Sequence, residues 1–308
     1  MTARDNGVSQ ADRRVGGLLG VIVGDAIGVP WEFQPAHTAP RPTLAIGFGA
    51  HHQPPGTWSD DGSMTLALLE SMLEVGWDLE DQARRFLAWY EDAQYTSGGV
   101  CFDTGITITH AFRRLRDGVP AAEAGPADDR AQSNGSLMRI LPVALLGDGR
   151  SDAELVARAE EATRVTHGHP RVAVASALYT LVARELLAGA DPVPALERAQ
   201  ERLRAVYAAD PARERLIGSC LELKVALGGA YVADSLVSAL LALQEGADFR
   251  DVVETAISYG GDTDTTGAIA GGLAGIRFGA RAIPGAWLDP VRSQPGWFIV
   301  EGLAARLR

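Results

Sequence analysis

Apolar residues recur at helical spacing along almost the whole chain, and no other feature restricts the fold as strongly. Leu66, Leu69, Met72 and Leu73 share one helical face, as do Ala83, Phe86, Leu87 and Tyr90, and later Leu155, Val156 and Ala159. Residues 172–187, 195–207, 212–226, 235–243 and 252–257 repeat the pattern. Alternation with the period of a half-buried strand is confined to short pieces such as residues 44–48. Glycine, proline and polar clusters mark loops at 35–42, 53–56, 118–131 and 208–211. None is long or biased enough to link separate domains, and no repeat of fixed period is present. The pattern predicts one all-α domain over residues 12–308, with the polar first eleven residues frayed. At 308 residues, 46% of them hydrophobic, such a domain buries a substantial core.

Charge and cysteine usage narrow the function. A formal net charge of −11 leaves no basic stripe for a phosphate backbone, which argues against nucleic acid as a general partner. An anionic ligand can still bind where cations or helix N-termini reverse the field locally. Cys101 and Cys220 are the two cysteines, too few and too far apart for a disulfide framework or a zinc site, so a reducing cytoplasm is expected. Arg13 and Arg14 precede an apolar run in the manner of an export signal. Asp25 and five glycines interrupt that run, no small-residue cleavage site follows it, and no run reaches the roughly 20 apolar residues a membrane span needs. No membrane contact is expected, and the oligomeric state is not legible.

The chemistry is concentrated in two acidic clusters about two hundred residues apart, each at an expected helix start. Ser59, Asp60 and Asp61 precede an apolar helix, which by itself is also what an N-cap looks like. Asp262, Thr263, Asp264 and Thr265 exceed what capping needs and are flanked by Gly260, Gly261 and Gly267. The helix that follows carries Gly271, Gly272, Gly275 and Gly279, so its backbone can pack closely, although each interior glycine costs about 1 kcal/mol of helix propensity. If both clusters face one point, four carboxylates and two hydroxyls converge, an arrangement that is unfavourable without cations between them. Oxygen donors without sulfur select hard ions such as Mg²⁺, Mn²⁺ or Ca²⁺, and so many donors suit a two-metal centre. Asp25 and Glu32 can also be read as helix caps, Asp103 as the residue before an apolar helix, and His167 and His169 as hydrogen-bonded core or turn residues. Asn134, Gly135 and Ser136, read as a helix start, resemble an anion cradle.

Taken together, GLLGVIVGDAIGVPWEF, WSDDGSMTLALLESM, CFDTG, NGSLMRILPVAL, THGHP, GGAYVADSL and GGDTDTTGAIAGGLAGI, in that order, make the chain resemble the ADP-ribosylglycohydrolase family over nearly its whole length. The resemblance implies an orthogonal multi-helix bundle with a binuclear Mg²⁺ or Mn²⁺ site in a cleft. It implies Ser59, Asp60, Asp61, Asp262, Asp264 and Thr265 as metal ligands, Glu32 on a mobile loop beside the metals, and Asp103 near the scissile ribose. It places Asn134, Gly135, Ser136, Leu137 and Met138 against the substrate phosphates, His167 near the diphosphate and ribose, and Tyr231 on the adenine. The expected reaction is hydrolysis of the bond between ADP-ribose and an arginine side chain, on an ADP-ribosylated protein or a small conjugate. Serine-linked, polymeric or O-acetyl ADP-ribose, or non-hydrolytic ADP-ribose binding, are the alternatives. The division of roles between Glu32 and Asp103 stays open. Two positions depart from the family pattern: Ser59, where relatives often have threonine, and Gly62, where the absence of a side chain is expected to alter the metal site.

Overall fold

The computed structural model describes residues 7–36, 48–223 and 225–308. Among these it is all-α. The helices are α1 (Gln10–Gly28), α2 (Asp60–Glu74), α3 (Leu79–Asp92), α4 (Ile106–Arg116), α5 (Pro142–Leu145), α6 (Asp152–Arg164) and α7 (Pro170–Leu187), followed by α8 (Pro192–Val206), α9 (Pro211–Cys220), α10 (Val232–Glu245), α11 (Phe249–Ser258), α12 (Thr263–Phe278), α13 (Gly285–Arg292) and α14 (Trp297–Arg306). The expected periodic stretches fall on helices, with one shortened: the run expected to continue to residue 226 leaves the helix at Cys220. At the other end, the Ser9 side chain accepts from the Asp12 amide at 3.2 Å and starts α1 at Gln10, two residues before the expected boundary. Of the strand-like residues 44–48 only Phe48 is described, in a single antiparallel bridge with Gln53; residues 44–47 lie outside the described residues.

Helices α1 and α12 form the centre of the molecule, and glycine decides how. A Cβ added at Gly16, Gly20 or Gly24 would lie 2.2, 2.1 and 2.1 Å from the carbonyl oxygens of Gly275, Gly271 and Gly267. Rising numbers on one helix against falling numbers on the other make the pair antiparallel. No residue with a side chain fits that separation, so the two backbones touch. One turn further, a Cβ at Gly28 would lie 2.4 Å from Asp264 Cα, so the same register sets the end of α1 against the acidic start of α12. Arg13 closes the opposite end by donating to Ile276 O at 2.9 Å and Arg277 O at 3.0 Å. By length and composition α1 could cross a bilayer, but 89% of its apolar window is buried inside the fold. Helix α7, buried along nearly its full length, packs beside the pair, and Tyr179 donates to Ile269 O at 3.2 Å.

Candidate active site

The two acidic helix starts meet. Ser59 and Thr265 both donate to Asp61 Oδ2, at 3.2 and 3.3 Å, and so join the first turn of α2 to the first turn of α12. Asp262 stands at the N-cap position of α12 without bonding the free helix amides, and its Oδ2 accepts from Asn134 Nδ2 at 2.8 Å. Glu32, Asp262 and Asp264 each offer an oxygen within 4.8 Å of the others. Burial first, and the neighbouring carboxylates second, hold Asp60, Asp61 and Asp264 well above the usual carboxylate range. Two of the oxygens, Asp61 Oδ1 and Asp264 Oδ2, are buried with no hydrogen-bond donor among the described residues. Buried carboxylate oxygens without donors, ringed by other carboxylates and two hydroxyls, suit a hard divalent cation. The donor set therefore fits the ions that the family resemblance implies.

Asp25 has a role that its local sequence did not reveal. It lies inside α1 and caps α2 from there, accepting from the Ser59 amide at 2.9 and 3.0 Å and from the Gly62 amide at 2.8 Å. Burial raises its pKa to about 7, and these backbone donors oppose the rise. Gly62 also reads differently in three dimensions. A Cβ there would lie 2.7 Å from Trp58 Cδ1 and 3.0 Å from both Asp25 Oδ2 and Ile22 Cδ1. The glycine accommodates tight packing behind the helix start.

Glu32 follows a short 3₁₀ turn, Val29–Trp31, on a segment pinned to the start of α12. The Phe33 amide donates to Gly261 O at 2.7 Å, and the Gly261 amide donates to Gln34 O at 2.8 Å. These bonds hold the segment that carries Glu32 against the start of α12. His51, which sequence reasoning missed, hydrogen-bonds Glu32 through Nε2, lies 3.9 Å from Asp103 Oδ1, and packs between the rings of Phe33 and Phe102. Its partners are remote in the chain, and nothing in its own loop marks it. Burial raises Glu32 to about 7 while the His51 hydrogen bond opposes the rise; that same bond raises His51. Asp103 is raised by burial and sits at φ 57°, a conformation that costs on the order of 1–3 kcal/mol in a residue other than glycine.

These acids line one cleft of about 770 Å³. Glu32, Asp60, Asp103 and Asp262 form its acidic side with Thr265 beside them, and Thr107, Ser133, Asn134, Gly135 and Met138 contribute elsewhere. Two of the expected phosphate contacts do not reach it: Ser136 and Leu137 are fully buried, and Ser136 Oγ faces Ser176 Oγ at 3.4 Å. Residues 135–139 form a turn, and the next helix begins only at Pro142, so the expected helix-start cradle is a turn instead. His167 is fully buried behind the cleft wall, with Nε2 2.9 Å from the cleft-lining Ser133 Oγ and Nδ1 2.9 Å from Thr166 Oγ1. Burial lowers its pKa to about 3. Tyr231 stands beside the cleft, paired by an isolated bridge with Ser133, its hydroxyl accepting from Arg171 Nη1 at 2.6 Å.

Known proteins are similar to this chain over most of its length. The family model for ADP-ribosylglycohydrolase matches residues 6–308. ADP-ribosylarginine hydrolase Tri1 of Pseudomonas putida (strain GB-1) is 29% identical over 282 residues, 91% of this chain and 74% of that protein. The ADP-ribosyl-[dinitrogen reductase] glycohydrolase of Rhodospirillum rubrum is 29% identical over 298 residues, 92% of this chain and 91% of that one. A solved structure, an ADP-ribosylglycohydrolase-related protein complex, superposes with a TM-score of 0.78 at 35% identity, covering 97% of this chain and 98% of the other. With a match from residue 6 to the last residue and the same fold, this chain belongs to the ADP-ribosylglycohydrolase family of hydrolases.

Proposed function

We propose that the protein releases ADP-ribose from mono-ADP-ribosylated arginine, on proteins or small conjugates, with the help of two Mg²⁺ or Mn²⁺ ions. The reading rests on one observation: Glu32, Asp60, Asp103 and Asp262 line a cleft whose 770 Å³ suits a nucleotide sugar, with the buried Asp61 and Asp264 joined to them through Thr265 and Glu32. Ser59, Asp60 and Asp61 on one side and Asp262, Asp264 and Thr265 on the other would hold the ions. Ions held there would supply Lewis-acid activation of a water molecule near neutral pH.

The remaining work falls to side chains. Glu32 is fixed by His51 beside Asp262 and Asp264, whereas the Asp103 side chain is 26% exposed and faces the cleft, placed to pass a proton to the leaving group. Burial raises both carboxyls, Glu32 to about 7, the direction a general acid needs. Arginine is favoured over serine by the cleft mouth: two carboxyls beside the exposed Phe33 ring suit a planar cation. Two similar proteins are also named for arginine or dinitrogen reductase substrates. Asn134 and Gly135 would approach the diphosphate, and Tyr231 would stack on adenine for about 1–3 kcal/mol.

The test is release of free ADP-ribose from mono-ADP-ribosylated arginine, serine-linked and O-acetyl substrates, each with and without Mg²⁺ or Mn²⁺. Metal-dependent release from arginine, fastest of the panel, is expected. Replacing a ligand by Asp264→Asn should lower activity and calorimetric metal affinity by at least about a hundredfold. Release confined to the serine or O-acetyl substrates would replace the arginine assignment.

A further inference from the structure

A hydrogen-bonded chain runs from the core to the cleft wall, and the acid chemistry above makes no use of it. It begins at Arg139, fully buried, with no carboxylate partner among the described residues and its guanidinium 4.4 Å over the Phe86 ring. Arg139 donates to Ala162 O at 3.3 and 3.4 Å and through Nη2 to Thr166 Oγ1 at 2.6 Å. Thr166 Oγ1 lies 2.9 Å from His167 Nδ1, His167 Nε2 lies 2.9 Å from Ser133 Oγ, and Ser133 Oγ lies 3.2 Å from Thr107 Oγ1. Thr166 and His167 are fully buried, whereas Ser133 and Thr107 line the cleft.

The donor at the buried end fixes the direction of every bond after it. A guanidinium has no lone pair to offer, so the Thr166 oxygen must accept from it. The Thr166 proton then has one partner, His167 Nδ1; withheld from it, a buried hydroxyl proton would go unsatisfied at about 1–3 kcal/mol. Nδ1 therefore accepts. Burial and the Arg139 charge keep the imidazole neutral, so its single proton sits on Nε2. Ser133 accepts that proton and donates its own onward to Thr107. The Thr107 hydroxyl has no protein acceptor among the described residues, which leaves its proton for an acceptor in the cleft.

We propose that Arg139 is a positioning residue: by donating into Thr166 it polarises a one-way chain through His167 and Ser133, so that Thr107 presents the cleft with a hydroxyl donor for the diphosphate of ADP-ribose. The ligand rests on the function proposed above; the direction of the chain does not.

The experiment uses the full chain with Mg²⁺ and separates the two. Nitrogen-15 NMR of the imidazole nitrogens, with His167 assigned by its loss in His167→Gln, reads the tautomer. Calorimetry with ADP-ribose reads the consequence. Thr166 carries the test, since an Arg139 variant can fail to fold for other reasons, and thermal melting confirms that each variant is folded. Wild type and Thr166→Ser are expected to show a protonated Nε2, a bare Nδ1 and equal affinity. Thr166→Val, which keeps the shape but not the hydroxyl, is expected to lose that tautomer and bind ADP-ribose about tenfold more weakly. Adding Ser133→Ala to Thr166→Val should then cost little more, because both act through one chain. A proton on Nδ1 in the wild type overturns the proposal, as does a folded Thr166→Val with undiminished affinity. A wild type that shows the Nε2 proton but does not bind ADP-ribose overturns the assigned ligand and leaves the direction of the chain standing.

Discussion

A threonine at position 62 would have no space. Its Cβ alone would lie 2.7 Å from Trp58 Cδ1 and 3.0 Å from Asp25 Oδ2, and Trp58 is fully buried. Gly62→Thr is therefore expected to lower stability by about 1–3 kcal/mol and to disturb the Asp25 caps on α2, without tightening metal binding. Urea denaturation and a metal titration check both; tighter metal binding at unchanged stability would show the packing to be looser than described. The same region shows what single residues reveal before folding. Asp60, Asp61, Asp262 and Asp264 are legible because paired acids at two helix starts exceed the needs of capping. His51 is not legible, because its importance lies in Glu32 and Asp103, 19 and 52 positions away. Asp25 was legible as a cap but not as the cap of another helix. For His167 the local reading as a hydrogen-bonded core residue describes its surroundings.

At the scale of elements, one glycine register sets the active site. Gly271→Ala would place a Cβ 2.3 Å from Gly20 O, so α1 and α12 must separate. Helix propensity improves by about 1 kcal/mol on such a change, but overpacking against a backbone carbonyl costs about 1–3 kcal/mol or more, and the overpacking prevails. Net destabilisation is expected, with weaker metal binding, since Asp264 rides on α12 and Asp61 on α2. Gly302→Ala in α14 is the control: nothing lies within 4 Å of its Cβ, so stability should rise by up to about 1 kcal/mol. Parallel thermal melts decide, and equal shifts for the two variants would defeat the packing argument. Periodicity made most helices readable, because a buried face needs apolar residues every three to four positions. It did not locate their ends. Helix α9 stops at Cys220 although apolar residues continue, and residues 135–139 turn where a helix start was expected. The glycines of both central helices were visible, but their pairing across some 250 residues belongs to the fold and not to either segment.

For the whole molecule, the acid cluster sets how stability responds to pH and to metal. Asp25 and Glu32 stand near 7, against ordinary values of 3.8 and 4.5, and Asp60, Asp61 and Asp264 are raised for the same reasons. Folded pKa values above unfolded ones mean that, through this window, the folded chain keeps protons that the unfolded chain has released. Metal-free stability must then fall as pH rises from the ordinary carboxylate range through 7. His167 acts in the opposite sense, since its folded value of about 3 lies below its ordinary 6.5 and its contribution is lost as pH falls between them. Burial lowers His169 in the same sense, so two histidines oppose several carboxyls; the net charge of −11 adds self-repulsion as the carboxyls ionise, and the carboxyls prevail. Divalent cations are expected to reverse the slope, because ions bound to the ionised cluster would stabilise the fold by roughly 3 kcal/mol at about a hundred times their Kd. With chelator present, the melting temperature is expected to be higher near about pH 5 than near about pH 8; with Mg²⁺ or Mn²⁺ the gain over chelator should be larger at the higher pH. Aspartate-to-asparagine changes at 61 or 264 should flatten both trends, because each removes a buried charge that protons and metal compete to neutralise. A chelated protein that gained stability across that interval would mean that these carboxyls are ionised and satisfied without metal, and the case for a cation among them would fall with that result.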